Sequence, residues 1–215
     1  MSRDQLILVG GGGHCRACID VIEMEGKYDI AGIIDIREKL GQEILGYKVI
    51  ATDENLPELV GQYKYFLVTL GQITDSSRRH ELFDQLRALK VRLPVIVSPL
   101  AYVSKHAQIG EGTIIMHQAV INAGARMGNN CIINSKALIE HDVEVQDHCH
   151  IATASVTNGG SVIGHHSFVG SQSVIHQNCF VAPFSIIGAG AVVSASIKES
   201  GGIYVGNPAR NLVKR

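Results

Sequence analysis

The sequence predicts two domains: a small α/β domain over residues 1–94 and a left-handed parallel β-helix over residues 95–215. From residue 101 to residue 196 a six-residue unit repeats without interruption. Before it, buried strand patterns alternate with amphipathic helix patterns, which is typical of a small, mainly parallel, Rossmann-like sheet. Pro94 and Pro99 mark the boundary between the two patterns.

The six-residue unit has an aliphatic residue at its third position and a small residue at its first. Fifteen of the sixteen third positions from Val103 to Val193 are aliphatic, and Thr157 is the exception. This spacing cannot form a stripe on a helix with 3.6 residues per turn. Three units instead make one triangular coil of about 18 residues, and the coils stack at about 4.8 Å. Gly or Asn occupies half of the fourth positions, which predicts tight, left-handed corners there.

The first ninety residues are expected to form three main strands and two helices. The apolar patterns predict strands at 6–10, 30–35 and 66–71, a strand-like segment at 47–50, and helices at 15–25 and 79–90.

A glycine-rich loop, residues 10–14, joins the first strand to the first helix. Free N–H groups and the helix dipole attract phosphate there, so a diphosphate is the expected ligand. Cys15 stands where a dinucleotide fingerprint needs its last glycine, and close packing alone also explains such a loop. Asp35 and Gly71 end the next main strands and are expected to line the same crevice, with Asp35 accepting from a ribose or sugar hydroxyl.

Composition excludes several classes of partner. The formal net charge is −1 and no run of Lys or Arg occurs, which argues against nucleic acid as a partner. No segment approaches the roughly 20 apolar residues of a membrane span, and the first residues do not resemble a signal peptide, so we expect a cytoplasmic protein. Five cysteines, an odd number, favour reduced thiols.

The 18-residue coil period singles out His141 as a candidate catalytic base. Asp142 follows it, and Gly159 occupies the same corner one coil later, in the unit that contains Thr157. A glycine N–H stacked about 5 Å from an imidazole would place an oxyanion donor beside a general base. An ordinary corner glycine explains Gly159 equally well.

His150 lies half a coil beyond His141, so the two face opposite sides of one prism. They can share a site only between neighbouring subunits, which favours a cyclic oligomer and most simply a homotrimer. The other β-helix histidines that we considered are expected to be solvated surface residues; they are His117, His165, His166 and His176. No set of three histidines shares a coil phase, so no metal site is predicted.

Three stretches resemble the hexapeptide-repeat acyltransferases that acetylate the amino group of nucleotide-linked 4-amino-sugars. They are LILVGGGGH, INSKALIEHDVEVQDHCHIATAS and IYVGNPARNLVKR, and the resemblance spans essentially the whole chain. It is strongest to the members that act on GDP-perosamine in O-antigen biosynthesis. The resemblance implies acetyl-CoA as co-substrate and no metal.

The resemblance also implies roles for individual residues. His141 is expected to be the general base, Asp142 to raise its basicity, and Gly159 to lie beside it. Acetyl-CoA contacts are expected at His150, Ser171, Ala189, Asn207 and Pro208, with His150 contributed by the neighbouring subunit. Nucleotide-sugar contacts are expected at Gly12, Gly13, His14, Asp35, Gly71 and Asn134. Ile36 and Ala189 depart from residues common in the family.

The predicted reaction is direct attack of the sugar amine on the thioester of acetyl-CoA. Three alternatives remain open at this stage: O-acetylation of a sugar hydroxyl, as in the sialic-acid O-acetyltransferases; a γ-class carbonic anhydrase; and a non-catalytic β-helix scaffold. A carbonic anhydrase would leave the N-terminal domain without a purpose, and a scaffold would not need the His141-Asp142 pair.

Overall fold

A computed structural model describes residues 3–212 of the chain. It confirms the predicted fold class, a small α/β domain followed by a β-helix of short parallel strands. The N-terminal elements are β1 (Asp4–Val9), α1 (Gly13–Glu25), β2 (Tyr28–Ile34), β3 (Glu43–Ile44), β4 (Tyr47–Ala51), α2 (Leu56–Leu59), β5 (Tyr65–Val68) and α3 (Ser77–Ala88), with 3-10 turns at Arg37–Lys39 and Asp53–Asn55. No described helix is long and apolar enough to cross a membrane.

The β-helix has three faces, each a ladder of strands that have two residues except for the three-residue β23. Face 1 contains β6 (Ile96–Val97), β9 (Ile114–Ile115), β12 (Ile132–Ile133), β15 (His150–Ile151), β18 (Phe168–Val169), β21 (Ile186–Ile187), β23 (Ile203–Val205) and β24 (Arg210–Asn211). Face 2 contains β7 (Tyr102–Val103), β10 (Val120–Ile121), β13 (Leu138–Ile139), β16 (Val156–Thr157), β19 (Val174–Ile175) and β22 (Val192–Val193). Face 3 contains β8 (Gln108–Ile109), β11 (Arg126–Met127), β14 (Glu144–Val145), β17 (Val162–Ile163) and β20 (Phe180–Val181).

The N-terminal sheet has the strand order β3-β4-β2-β1-β5 and is parallel except for the hairpin between β3 and β4. Helix α1 buries Cys15, Cys18 and Ile22 in a core that continues into face 1 of the β-helix through Ile114 and Ile132. Burial raises the pKa of Cys15 to about 11 and that of Cys18 further. The thiols of Cys15 and Cys18 are therefore protonated at neutral pH, and these residues contribute to packing of the core.

Coil stacking follows the predicted period. Leu138 pairs with Val156 and Ile139 with Thr157, each 18 residues apart. Inside the prism the third-position aliphatics and first-position small residues form one column of buried side chains. This column fixes the position of every corner of the prism, because a shift of one residue would turn the aliphatic residues outwards.

The corners turn at a different position from the one we expected. From Gly112 to Gly190 every sixth residue of the repeat has a positive φ, between 51° and 77°, whereas the fourth-position glycines and asparagines do not. The fourth-position glycines are instead needed for close stacking. A Cβ at Gly164 would lie 2.5 Å from the backbone N of Pro183, and one at Gly170 would lie 2.5 Å from the carbonyl O of Ile187.

Polar contacts hold the two domains together. The buried guanidinium of Arg79 in α3 donates to the carbonyls of Val68 and Leu70 in its own domain and of Asn130 in the β-helix. On the other side, the ring of His117 lies between Ser98 Oγ, at 2.6 Å, and the carboxylate of Asp20, at 2.8 Å. The carbonyls around Arg79 replace the water that its charged guanidinium loses on burial, and they fix the position of α3 on the β-helix.

The one broken third position, Thr157, points into the apolar column. Its side chain is fully buried, and Oγ1 has no hydrogen-bond partner among the described residues. Thr113 is equally buried, but its hydroxyl donates to the carbonyl of Gly128 and accepts from the N–H of Cys131. A buried polar group without a partner costs about 1–3 kcal/mol.

We therefore expect Thr157→Val to raise the free energy of unfolding by about 1 kcal/mol, because it removes an unpaired hydroxyl without emptying the site. The matched variant Thr113→Val should lower it by about 1–3 kcal/mol, because it leaves two main-chain groups unpaired. Urea unfolding of both variants and the parent protein measures the difference. Changes of the same sign would contradict this account of the column.

Candidate active site

The predicted pair His141 and Asp142 lies at the corner between faces 2 and 3. Nδ1 of His141 is 3.0 Å from Oδ2 of Asp142, and both side chains are mostly exposed. This contact leaves Nε2 of the imidazole available to accept a proton. Asp142 is a sixth-position residue with a φ of 59°, so the geometry of the corner brings its carboxylate back to its own neighbour.

Gly159 stacks directly on His141, as the coil period predicts. A Cβ at Gly159 would lie 2.7 Å from both Cε1 and Nε2 of the imidazole, so any other residue would displace the ring from this position. The next residue, Gly160, donates its N–H to the carbonyl of His141 at 3.0 Å. The N–H of Gly159 has no hydrogen-bond acceptor among residues 3–212. The corner glycine therefore has a steric role that an ordinary corner does not require.

An open cavity of about 570 Å³ surrounds this pair. Polar side chains from three successive coils line it: Glu140, His141, Asp142, Asn158, Gln177 and Asn178, together with Gly159 and Gly160. Its openness matches the exposure of His141. The cavity combines a proton acceptor and a free N–H donor within a few ångströms.

A second group of predicted residues meets where the N-terminal domain covers face 1. Nδ1 of His150 is 2.7 Å from the carbonyl of Gln72, and Nε2 is 3.2 Å from the amide of Asn134. The ring of His14 lies 6.3 Å from that of His150, and a Cβ at Gly71 would lie 3.4 Å from that of His14. The fold thus brings together His14, Gly71, Asn134 and His150.

His150 is more enclosed than its outward position in the repeat suggests. It is 8% exposed, and burial together with the nearby charge of Arg79 lowers its pKa to about 4, although the bond to the Gln72 carbonyl raises it. Sequence patterns missed Gln72, which also donates from Nε2 to the carbonyl of His148 at 2.7 Å. No local signal marks a loop glutamine that contacts a second domain.

The glycine loop divides into a packed half and an open half. A Cβ at Gly10 would collide with Leu70, and one at Gly11 with Asp35 and Ile44. A Cβ at Gly12 or Gly13 would meet no atom of the described residues within 4 Å. Gly12 caps α1 without any side-chain hydrogen bond. Close packing therefore explains the first two glycines, and the last two leave the N-terminus of α1 open to an anion.

Asp35 anchors the loop. Its Oδ2 accepts from the N–H of Gly11 at 2.7 Å and from Nζ of Lys39 at 2.8 Å, and its Oδ1 accepts from the N–H of Ile36. Burial opposes ionisation of Asp35, but these three donors outweigh it and lower the pKa of the carboxyl. Lys39, which sequence patterns missed, brings a cation to the loop by its i,i+4 spacing from Asp35.

The residues expected to contact acetyl-CoA do not share one location. Ser171 and Ala189 stack at the corner between faces 1 and 2, where the N–H of Gly190 donates to the carbonyl of Ser171. Asn134 lies at the same corner, two coils earlier. Asn207 and Pro208 are exposed in the turn between β23 and β24. None of them lies at the corner that carries His141.

The expectation of solvated surface histidines is wrong for His166, which stacks between His148 and Phe184. His117 is held between the two domains, as described above, and His165 is half-buried. Only His176 among these four is exposed. The coil period predicts whether a side chain points into or out of the prism. It does not predict which outward side chains are covered by residues of the N-terminal domain.

The fold and the site define a β-helix transferase with an added α/β domain. Residues 5–86 match the PglD N-terminal domain family, and residues 106–141 match the bacterial transferase hexapeptide family, which has six repeats. Each domain is thus similar to one of these families, and the chain as a whole is similar to hexapeptide-repeat acetyltransferases that carry this N-terminal domain. No curated protein sequence matches it.

Solved structures of acetyltransferases are similar over almost the whole chain. PerB from Caulobacter crescentus, in complex with CoA and GDP-perosamine, is 29% identical with a TM-score of 0.89, covering 96% of both chains. The acetyltransferase domain of PglB from Neisseria gonorrhoeae, in complex with acetyl coenzyme A, is 28% identical with a TM-score of 0.88, covering 98% of this chain and 100% of that one. WeeI from Acinetobacter baumannii, 22% identical with a TM-score of 0.82 over 96% and 99%, shares the fold.

His14 makes a pH-dependent contribution to stability. Its Nε2 is buried and finds no hydrogen-bond partner within residues 3–212. Burial lowers its pKa to about 3, and the nearby charges of Arg79 and His150 add to this effect. The unfolded chain takes up a proton here below about pH 6.5, and the folded chain does not. The free energy of unfolding should therefore fall as the pH falls from 6.5 towards 3 and gain nothing from this group above pH 6.5.

We expect His14→Asn to reduce this loss of stability in acid, measured by urea unfolding at pH 7.5, 5.5 and 4.5. His106→Asn, at an exposed position of the β-helix, should keep the slope of the parent protein. Parallel pH profiles for His14→Asn and the parent would contradict a neutral, buried His14.

Proposed function

We propose that this protein transfers acetyl from acetyl-CoA to the 4-amino group of a nucleotide-linked amino-sugar. The observation that carries the proposal is the imidazole of His141, paired with Asp142 and stacked against Gly159 in an open polar cavity. The complexes of PerB with CoA and GDP-perosamine and of PglB with acetyl coenzyme A support the two substrates.

In the proposed mechanism the neutral sugar amine attacks the thioester carbonyl, forming a C–N bond and a tetrahedral oxyanion. Nε2 of His141 accepts the proton of the amine, and Asp142 at Nδ1 stabilises the imidazolium. The N–H of Gly159 donates to the oxyanion. Collapse breaks the C–S bond and expels the CoA thiolate, which takes the proton from His141.

No covalent acyl-enzyme is needed in this mechanism. The β-helix cysteines Cys131, Cys149 and Cys179 are buried, and burial raises the pKa of each thiol, to about 12 for Cys131. A thiolate nucleophile is therefore not available near His141 at neutral pH.

The site is proposed to lie between subunits of a homotrimer. His141 lies at the corner between faces 2 and 3, and Asn134, Ser171 and Ala189 at the corner between faces 1 and 2. Prisms packed side by side would bring the His141 corner of one subunit against the corner between faces 1 and 2 of its neighbour. This contact would cover the exposed imidazole. His150 lies on face 1, so its subunit would supply the wall opposite His141.

The N-terminal domain supplies the proposed nucleotide site. The open N-terminus of α1, with Gly12, Gly13 and His14, would hold the diphosphate, and Lys39 adds positive charge. Asp35 already has three donors, so its proposed contact with ribose uses the remaining acceptor capacity of Oδ1. GDP-perosamine is the proposed acceptor, in cytoplasmic synthesis of O-antigen precursors.

The role of His141 is tested with His141→Asn, which should lower kcat by about 10²–10⁴, the usual contribution of a general base. His106→Asn serves as the matched control and should leave kcat unchanged. Release of CoA is measured across pH 6–9. A near-normal kcat with an unchanged pH profile in His141→Asn would show that another group is the base.

Gly159→Ala separates the position of the imidazole from the oxyanion donor, because alanine keeps the N–H. Its Cβ would lie 2.7 Å from Nε2 of His141 and must displace the ring. We expect kcat to fall at least tenfold with the fold retained, as judged by circular dichroism. Full activity in this variant would mean that the stacking of Gly159 on His141 is not part of the site.

The acceptor is tested with a panel of GDP-, UDP- and dTDP-linked 4-amino-sugars and the matching 4-hydroxy sugars. We expect CoA release with amine acceptors and the highest kcat/KM with GDP-perosamine. Turnover with hydroxyl acceptors alone would replace N-acetylation by O-acetylation, and no turnover with any nucleotide sugar would reject the proposal.

A further inference from the structure

Three histidines meet beneath helix α3, at the corner between faces 3 and 1 and away from the corner of His141. His148 and His166 occupy the same corner on successive coils, and His80 comes from α3 of the N-terminal domain. One ring nitrogen from each lies within 4.8 Å of those of the other two. The coil period could not predict this set of three histidines, because His80 belongs to the N-terminal domain and not to the repeat.

Each of the three rings is held through one nitrogen by a separate partner. Nε2 of His80 is 2.9 Å from the Asp84 carboxylate, and Nδ1 of His166 is 2.8 Å from Ser76 Oγ. These contacts leave Nδ1 of His80 and Nε2 of His166 available. Histidine ligands of metals usually have their second ring nitrogen fixed by a carboxylate, hydroxyl or carbonyl oxygen in this way.

His148 has a partner that suits the same role after a simple rotation. Its Nδ1 is 3.0 Å from Nδ2 of Asn130, while Oδ1 of Asn130 is buried with no hydrogen-bond partner in the part of the chain that the structure describes. Turning the amide by 180° would place Oδ1 where it accepts from Nδ1–H of His148. The lone pair of His148 would then be on Nε2, directed away from Asn130, and Oδ1 would gain a donor in exchange for the 3.4 Å contact of Nδ2 with the carbonyl of Arg79.

The cluster also has an approach for an ion from solvent. It lines an open cavity of about 620 Å³, which Glu144 and Asp147 line as well. The two carboxylates outnumber the single guanidinium of this lining, that of Arg126, which favours entry of a cation. The cavity also leaves room for a water molecule as a further ligand.

We propose that His80, His148 and His166 form a binding site for a divalent transition metal of the zinc class, with an open coordination position facing this cavity. Neutral imidazoles suit zinc, copper and nickel, whereas magnesium and calcium prefer oxygen ligands. Metal–nitrogen bonds of about 2.0–2.1 Å place tetrahedral ligands about 3.3 Å apart, so the rings need to move inwards by about 1 Å or more.

The ion would join the two domains, because α3 supplies one ligand and the β-helix supplies two. Binding to the folded chain alone raises its stability in proportion to the logarithm of metal concentration above Kd. A metal site here therefore predicts a rise in the thermal midpoint that does not depend on catalysis.

The test titrates chelator-treated full-length protein with Zn²⁺ and with Co²⁺. We expect one equivalent per chain by calorimetry, a Co²⁺ visible spectrum typical of four- or five-coordinate sites, and a higher Tm. His80→Gln, a substitution at a half-exposed helix position, should abolish all three. Asp84→Asn should weaken affinity by about 10–100-fold, the usual effect of losing a partner of a metal ligand.

His106→Gln and His165→Gln are the controls. His106 is exposed elsewhere on the β-helix, and His165 lines the same cavity but is not one of the three ligands. Both should bind like the parent protein. The proposal is overturned if the parent shows no stoichiometric binding, or if His80→Gln binds as tightly as His106→Gln.

Discussion

The stacking of each coil on the next is the constraint on which the rest of this structure depends. Strand N–H groups bond to carbonyls of the following coil, as Ile132 does to Cys149 at 2.9 Å and His150 to Ser167 at 3.0 Å. The inward aliphatic column permits one register only. Because side chains 18 residues apart must stack, Gly159 must contact His141, and the same rule places His166 against His148.

Sequence periodicity was sufficient for the β-helix and for one wall of the candidate site. The hexads predicted the faces, the inward Thr157 and the stacking of Gly159 on His141. They failed at the corners, since a glycine can be required by contact with the next coil as well as by a positive φ. Gly164 and Gly170 are required by contact with the next coil. The positive φ occurs instead at the sixth positions, which include the non-glycine residue Phe184.

The contacts between domains could not be predicted, because they join residues far apart in the chain without any periodic relation. Gln72 contacts His150, Arg79 contacts Asn130, and Ser76 contacts His166. A fully buried guanidinium held only by carbonyls tolerates little displacement, since moving it exposes unpaired donors to an apolar interior. These carbonyl contacts of Arg79 therefore couple the position of α3 to that of the β-helix.

The left-handed sixth positions have a consequence for how such proteins diversify. From Gly112 to Gly190 the backbone bends there whether the residue is glycine, alanine, lysine, histidine or phenylalanine, so the fold imposes the turn and the side chain is free to vary. Corner residues such as Asp142, His148 and His166 can therefore be exchanged by mutation at little cost to the inner column. The inner column constrains the interior of the prism, whereas its corners can carry different chemical groups.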